Sequence, residues 1–485
     1  MKIKSFFFVC LLASSLCSYS QPCLSGGIVI SNQSQIDDFP TNFPACTQIQ
    51  GDVKITGDGI FNLDGLSNLT SISGTLTIQE TSIQSASNDL NNLDSVGGSI
   101  IITNNSSLTI LNGFNNLTHA NGHVLISNNP ALISLDGFAK LIVNKTFQIA
   151  NNPLLESLSS QGMLENIAPG GELFISKNSK LTNVDGLQSL TQVEGSITIS
   201  DNESLSSLDS LINLTSVGGE LAITLNPSLP DLSGLDNLTT VVYMDIFSND
   251  SLTNIQHLSK LEKAGAIRIE ANPVLMNLNG LSNLKDLTGV SYIAYNPLLE
   301  KIDALNLLDT LEGSLLIQFN PKLSDLEGLE NLTIVKGSLF ISGSDSLTNL
   351  TELSNLRTVG KSFGFGYLPL LQDISGLNQL DSVGGTFGMA DIPLLTNLVG
   401  LENLRSVELL GIARNQSLTS LTGLENLRHL EELLIENNPS LTDLSSIDSV
   451  EFAPNNFHQQ ITIQSNPLLS TCGIESICNF MVDNW

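Results

Sequence analysis

Residues 313–336 read Gly-Ser-Leu-Leu-Ile-Gln-Phe-Asn-Pro-Lys-Leu-Ser-Asp-Leu-Glu-Gly-Leu-Glu-Asn-Leu-Thr-Ile-Val-Lys, a pattern that recurs along almost the whole chain. The first half contains Leu315 and Ile317, and this two-residue spacing is the period of a strand that buries one face. Asn320 and Pro321 then mark a turn, because proline has no amide proton and disfavours helix in the residue before it. This half of the repeat predicts one short strand followed by a corner.

The second half of the repeat places an apolar residue at every third position: Leu323, Leu326, Leu329, Leu332 and Val335. A step of three fits neither an amphipathic α-helix nor a simple strand. It predicts short extended or 3₁₀-like segments joined by corners, with Gly328 allowing one tight bend.

The repeat has a mean period of 24 residues. Positions equivalent to Asn320 fall at 58, 81, 105, 129, 152, 178, 202, 226, 249, 272, 296, 320, 344, 368, 392, 415, 438 and 466, so 18 coils span 408 residues in 17 intervals. One coil cannot bury its leucines alone, whereas stacked coils bury a continuous core. The sequence predicts an all-β solenoid of about 18 coils with parallel sheets and very little helix.

Asparagine recurs at two positions of the repeat. The first set is Asn129, Asn152, Asn178, Asn202, Asn226, Asn249, Asn272, Asn296 and Asn320. We expect these side chains to point inward and bond corner backbone groups; the alternative is an asparagine-lined ligand groove. The second set, in Asn-Leu-Thr, is Asn68, Asn116, Asn213, Asn237 and Asn331. It matches a glycosylation acceptor, but its fixed place in the repeat favours a structural role.

The coil x-Leu-x-Ile-x-x-Asn-Pro-x-Leu-x-x-Leu-x-Gly-Leu-x-Asn-Leu resembles the receptor L-domain family of leucine-rich repeats, over about residues 23–478. Ordinary leucine-rich repeats place leucine two residues after the asparagine, but here Leu441 follows Asn438 by three. The resemblance implies a right-handed β-helix, and the segment from Cys23 to Cys46 is similar to the family's disulfide-closed first turn. Because the family includes ligand-binding receptor ectodomains, fungal cell-wall proteins and secreted bacterial repeat proteins, it implies no single chemistry.

The ends of the chain carry targeting and capping signals. Residues 1–20 have the basic start, apolar run and small-residue end of a secretory signal peptide. No later segment approaches the ~20 apolar residues that span a bilayer, so we expect a secreted or cell-surface protein. We expect an N-terminal cap and first turn at 21–52, the solenoid at 53–471, and the start of an apparently truncated C-terminal cap at 472–485.

The four cysteines that follow the signal peptide lie at the two ends: Cys23, Cys46, Cys472 and Cys478. In a secreted chain this distribution predicts two terminal disulfide clamps. The alternative is free buried thiols, which would not explain why cysteines avoid the middle. The pairing of the last two stays open, because either could bond a missing part of the cap.

Composition limits the classes of partner. The chain is 41% hydrophobic and 14% charged, with a net charge of −29. Ample apolar content excludes a disordered chain. The acidity argues against nucleic acid, whose phosphates demand clustered Lys and Arg, and is unfavourable for an anionic membrane surface.

Candidate catalytic groups have simpler explanations. His119 and His123 are four residues apart, but a turn-forming Asn-Gly lies between them, so they do not share a helix face. Asp245 and Arg268 occupy equivalent outward positions in adjacent coils, which predicts a surface ion pair. We expect no enzyme activity, cofactor or metal; a polysaccharide-acting β-helix enzyme is a remote alternative.

One outward column of the strands is unusual. Its consecutive members are Tyr292, Leu316, Phe340, Gly364, Gly388 and Gly411. Three positions after the column in their coils come Tyr295, Phe319 and Tyr367. Exposed, contiguous apolar groups of this kind mark binding surfaces. The alternative is that the last three side chains turn inward and replace the asparagine row.

These observations predict a monomeric, secreted or cell-surface binding module that recognises an extracellular protein or glycan through its outer face, with Tyr292, Leu316, Phe340, Tyr295, Phe319 and Tyr367 as ligand-binding residues. The alternative function is an acidic structural spacer or wall component without a specific ligand.

Overall fold

The computed structural model describes residues 21–85, 89–138, 140–158, 162–452, 461–469 and 474–477. The predicted signal peptide and both Cys472 and Cys478 lie outside these residues. The described chain is a parallel-stranded solenoid of about 18 coils, which confirms the predicted fold class.

Each coil contributes a short strand before the outer-face strand. The short strands of the first coils form a seven-stranded sheet: Gln21–Cys23, Cys46–Ile49, Ser71–Ile72, Ser95–Val96, His119–Ala120, Leu141–Val143 and Leu164–Ile167. The later separate ones are Gln192–Val193, Asp286–Leu287, Thr310–Leu311, Ile334–Val335, Thr358–Val359, His429–Leu430 and Glu451–Phe452.

The outer-face strands form the long sheet that runs the length of the solenoid. They are Ile28–Ile30, Val53–Gly57, Leu76–Thr81, Ile100–Thr103, Val124–Ser127, Phe147–Ala150, Leu173–Ser176, Ile197–Ser200, Val290–Ala294, Ser314–Gln318, Leu339–Ser342, Phe363–Gly366, Glu432–Glu436 and Ile461–Gln464. In five coils the short and outer-face strands run together as one bent strand: Ser216–Thr224, Thr240–Phe247, Lys263–Glu270, Ser382–Ala390 and Ser406–Ala413. The merged strands join the later short strands to the same hydrogen-bonded sheet.

Helix is confined to short turns, as the three-residue step predicts. The N-terminal cap holds two helices, Gln33–Asp37 and Phe39–Asn42, and Asn32 caps the first by accepting a hydrogen bond from the Gln35 amide. The 3₁₀ turns of the coils are Asp64–Leu66, Asp209–Leu211, Gln256–Leu258, Asn279–Leu281, Asp303–Leu305, Thr351–Leu353, Ser375–Leu377 and Ser445–Ile447. Gly328 has a φ of +106°, which confirms its place at a tight bend.

The N-terminal clamp is present. Cys23 and Cys46 form a disulfide whose Cα atoms are 5.6 Å apart. Between them lie the two cap helices, which bury Ile36 and Phe39 over the first coil. The cap therefore shields the end of the stacked core, as repeat proteins require.

The inner asparagines form a buried ladder. From Asn105 to Asn320 each is fully buried. The Oδ1 atom of each accepts the backbone N–H of the residue at the equivalent position one coil earlier, as Asn249 does from Asn226 at 3.1 Å. The Asn249 Nδ2 group donates to the carbonyl of Ile223 at 2.8 Å. Because the ladder has no exposed face, the alternative of an asparagine-lined ligand groove is wrong.

The Asn-Leu-Thr asparagines form a second, exposed row. Asn213 donates to the carbonyl of Gln188 at 2.8 Å, and Asn237 donates to that of Ile212 at 2.7 Å. Each bond joins one coil to the coil before it, which supports the structural interpretation of this position.

The corner after the outer-face strand is left-handed. The residue immediately before the ladder position has φ between 53° and 58° in most coils: Glu80, Asn104, Asn128, Asn151, Lys177, Asp201, Leu225, Ser248, Ala271, Tyr295, Phe319, Tyr367, Asp391, Arg414, Asn437 and Ser465. Such a conformation is disfavoured for residues other than Gly, Asn and Asp. The side chain of this corner residue points to solvent, and the side chain of the next residue points inward at the ladder position.

The ladder is interrupted in three coils. Ser344, Leu368 and Ile392 occupy its positions, all fully buried. The core beside them is filled by aromatic rings: Phe387 meets Phe363 and Phe365 edge-on, each at a centroid distance of 5.7 Å. Apolar packing thus replaces amide hydrogen bonds in this part of the solenoid.

Candidate functional site

The outward column has the predicted register. Tyr292 pairs with Leu316, Leu316 with Phe340, and Phe340 with Gly364 on successive parallel strands. The side chains of Tyr292, Leu316 and Phe340 are half-buried. They therefore rest on the outer face of the sheet and leave part of each side chain open to solvent.

Glycines lower the sheet surface beside this row. Gly364, Gly388 and Gly411 continue the column on the next three strands. A Cβ on Gly364 would lie 2.8 Å from two ring carbons of Phe340, so this ring lies over the glycine of the next coil. Glycine at this position therefore accommodates the Phe340 ring.

A charged cluster borders the other end of the row. The Arg268 guanidinium contacts Asp245 at 3.3 Å and Glu270 at 2.7 Å, and lies 4.1 Å from the ring centroid of Phe247. Burial raises the pKa of the Asp245 carboxyl above its ordinary value, although Arg268 opposes this shift. The predicted ion pair between Asp245 and Arg268 is confirmed. It holds these two side chains together on the outer face of the strands that precede Tyr292.

The three corner aromatics face solvent. Tyr295, Phe319 and Tyr367 are 52%, 40% and 55% exposed, so the alternative that they turn inward is wrong. The left-handed corner is the reason, because it directs this side chain outward and sends the following residue into the core. Sequence reasoning missed this geometry; its one signal was the frequency of Asn and Asp at the equivalent position of other coils.

The corner aromatics line an open groove of about 520 Å³. Its walls are Tyr295, Pro297, Phe319, Pro321, Gly343, Asp345 and Tyr367. The Tyr295 and Phe319 rings are stacked, with centroids 4.8 Å apart and planes 16° apart. Gly343 has a φ of +67°, and a Cβ there would lie 2.6 Å from Phe319 Cδ1. Glycine at this corner therefore admits the Phe319 ring and leaves an opening before Tyr367.

An ion pair lies in an adjoining pocket that shares Asp345 and Tyr367 with the groove. Arg414 binds both carboxylate oxygens of Asp391, at 2.7 to 3.0 Å. Its hydrogen bonds to Asp391 raise the pKa of the Arg414 guanidinium, and the Tyr367 side chain contributes in the same direction. Tyr367 therefore lies beside Asp391 and Arg414, whose opposite charges neutralise each other.

Asp345 differs from Asp391. It is exposed in the groove wall, and within the described part of the chain it has neither a hydrogen-bond nor an ion-pair partner. The groove therefore combines an aromatic surface with one uncompensated carboxylate. Sequence reasoning did not single out this residue.

The candidate catalytic groups stay apart. His119 lies in a short strand and His123 precedes the next strand, so no helix presents them together. Among the described residues no group of three or more His, Cys, Asp or Glu side chains is placed to hold a metal ion. No helix in the described ranges has the length and apolar character needed to cross a membrane.

Comparisons with known proteins point to repeat modules. Residues 45–140 match the family model of the receptor L domain. No curated protein matches the chain in sequence. Among solved structures, an internalin from Listeria monocytogenes is 20% identical with a TM-score of 0.36, covering 61% of this chain and 82% of its own.

Two further structures are similar at the level of repeats. The functional domain of InlJ from Listeria monocytogenes is 16% identical with a TM-score of 0.30, covering 80% of this chain and 77% of its own. A TLR13–ssRNA13 complex is 17% identical with a TM-score of 0.32, covering 90% and 72%. The family match confirms the resemblance drawn from the coils for residues 45–140, which are similar to the receptor L domain.

Proposed function

We propose that this protein is a secreted or cell-surface binding module that recognises an extracellular protein or glycan through the outer face of its solenoid. The observation that carries the proposal is the row of partly exposed apolar side chains Tyr292, Leu316 and Phe340 on consecutive strands, with Tyr295 and Phe319 exposed at corners of the same coils. Receptor L-domain and leucine-rich repeat folds generally mediate protein binding, which supports a protein as the partner.

The energetics of this surface favour binding. Burying a large apolar side chain contributes roughly 1.5–3 kcal/mol before the costs of association. Three such groups on consecutive strands, about 4.8 Å apart, form one contiguous contact. Elsewhere in the described part of this column at most two consecutive strands carry large apolar residues, as at Ile101 and Leu125.

The test is a triple variant, Tyr292→Ser, Leu316→Ser and Phe340→Ser, compared with wild type in a glycan array and a surface-protein pulldown. We expect loss of the bound partner with unchanged melting temperature, because these side chains are half-buried on the surface rather than in the core.

A matched control uses the same outward column far from the site: Ile101→Ser, Leu125→Ser and Phe174→Ser. This control should retain binding. Unfolding of the first variant would show that its three residues stabilise the core. Absence of any partner for wild type would favour the acidic spacer.

A further inference from the structure

The corner aromatics occupy a position that the fold does not favour for them. A left-handed φ disfavours large side chains by roughly 1–2 kcal/mol, and Tyr295, Phe319 and Tyr367 adopt φ of 53–54°. Their rings remain 40–55% exposed, so burial offsets little of this penalty. Other coils place Asn, Asp, Ser, Ala, Glu, Lys, Arg or Leu at the same corner. The solenoid therefore needs none of these rings for its own folding.

Charge in the groove defines one property of its occupant. Asp391 is neutralised by Arg414, whereas Asp345 has no partner among the described residues and faces the aromatic walls. With a net charge of −29 on the chain, an anionic ligand would be repelled. The complementary ligand is apolar along its length and carries a cationic group near Asp345.

The spacing of the aromatic rings indicates a second property of the ligand. Phe319 and Tyr367 are two coils apart, separated by Gly343, and two parallel-strand spacings are about 9.6 Å. A polyproline II helix rises about 9.3 Å per three-residue turn. The rise of one peptide turn therefore matches the distance between Phe319 and Tyr367, so successive turns can contact the two rings. A peptide that is already stiff also loses little conformational entropy on binding.

Ring orientation favours a peptide over a sugar. A sugar ring binds by laying its C–H face on an open aromatic face. Tyr295 and Phe319 are stacked on each other at 4.8 Å, so each covers one face of the other. Tyr295 and Phe319 therefore offer a sugar fewer open faces than two separate rings would, whereas an extended peptide can also contact the ring edges.

From these features we infer that the groove lined by Tyr295, Phe319 and Tyr367 binds a proline-rich segment in the polyproline II conformation, with a Lys or Arg of that segment paired to Asp345. The inference rests on the proposed binding function and names the chemical class of the partner.

The test uses the full chain and fluorescence anisotropy of a labelled peptide of about ten prolines ending in arginine. Tyr367→Asn should weaken binding about tenfold, because Asn suits a left-handed corner and only the ring is lost. The matched control is Leu225→Asn, which changes an exposed apolar residue at the equivalent corner of a distant coil. It should leave the affinity unchanged.

The role of the Asp345 carboxylate is tested separately. A peptide that ends in glutamate should bind wild type about five- to tenfold more weakly than the arginine peptide. Asp345→Asn should reduce this preference to about twofold, the part that the net charge of the chain maintains, whereas Asp250→Asn, at the same place in an earlier coil, should preserve it in full. Retention of the full preference in Asp345→Asn would overturn the assignment of the cation to that carboxylate.

Two outcomes would overturn the inference as a whole. One is failure of the prolyl peptides to bind wild type. The other is binding of a neutral hexasaccharide of N-acetylglucosamine that is lost in Tyr367→Asn, which would make the groove a glycan site. If the peptides fail while the Tyr292, Leu316 and Phe340 triple variant still loses a captured partner, the proposed function stands and only this inference falls.

Discussion

Replacing Asn249 with alanine should lower the free energy of unfolding by about 3–5 kcal/mol. Asn249 accepts a hydrogen bond from the Asn226 amide and donates to the Ile223 carbonyl, and it is fully buried. The alanine leaves both backbone groups without partners in a site that water does not reach, and each such group costs roughly 1–3 kcal/mol. The small cavity adds to the loss.

Urea denaturation followed by circular dichroism measures this effect. The matched control is Asn237→Ala, which removes an exposed asparagine that donates to the Ile212 carbonyl at 2.7 Å and accepts from Lys260 at 2.6 Å. We expect the control to lose about 1 kcal/mol or less. Equal losses of unfolding free energy in the two variants would show that the buried ladder stabilises the solenoid no more than the exposed asparagine row does.

Replacing Phe387 with alanine should also lower the free energy of unfolding by about 3–5 kcal/mol. Its ring is fully buried and meets Phe363 and Phe365 edge-on. These rings fill the core where Ser344, Leu368 and Ile392 interrupt the ladder. Neither polar bonds nor neighbouring side chains can replace the lost volume.

Thermal and urea unfolding of Phe387→Ala and Phe387→Leu separate volume from aromatic contacts. Leucine stands at the equivalent position of the paired strand, at Leu410, so the leucine variant should lose only about 1–2 kcal/mol. A loss below about 1 kcal/mol in the alanine variant would mean that the ring cluster does not support the solenoid.

The sequence alone predicts the repeat and its core. The 24-residue period, the alternation at Leu315 and Ile317 and the leucines at every third position each follow from which side chains must be buried. The ladder also follows, since a recurrent asparagine at a buried corner needs backbone partners. These features are predictable because each coil must bury its apolar side chains and provide hydrogen-bond partners for its buried backbone groups.

The direction of the corner side chains could not be predicted in the same way. Tyr295 and Asn296 are adjacent, and which one enters the core depends on the sign of a single φ angle. In the coil of Phe319, hydrophobicity favours the ring over Asn320 for the buried place and is wrong, whereas in the coil of Tyr367 it favours Leu368 and is right. The left-handed corner overrides that preference and keeps the ring outside.

The groove depends on the same departure from the repeat. Aspartate also stands at the position of Asp345 in the coil of Asp250, and glycine stands at the position of Gly343 at Gly57, so periodicity gives neither residue special weight. Their importance appears only when neighbouring coils place Phe319 on one side and Tyr367 on the other. A site built across coils cannot be identified from one coil at a time.

The most direct test of the central claim, that the corner aromatics serve binding rather than folding, is the stability of a triple variant: Tyr295→Asn, Phe319→Asn and Tyr367→Asn. Asparagine tolerates the left-handed corner, and the lost stacking contributes only about 0.5–1.5 kcal/mol. We expect the free energy of unfolding to stay within about 1 kcal/mol of wild type, or to rise. A loss of more than about 3 kcal/mol would contradict the account, because it would show that the rings stabilise the solenoid.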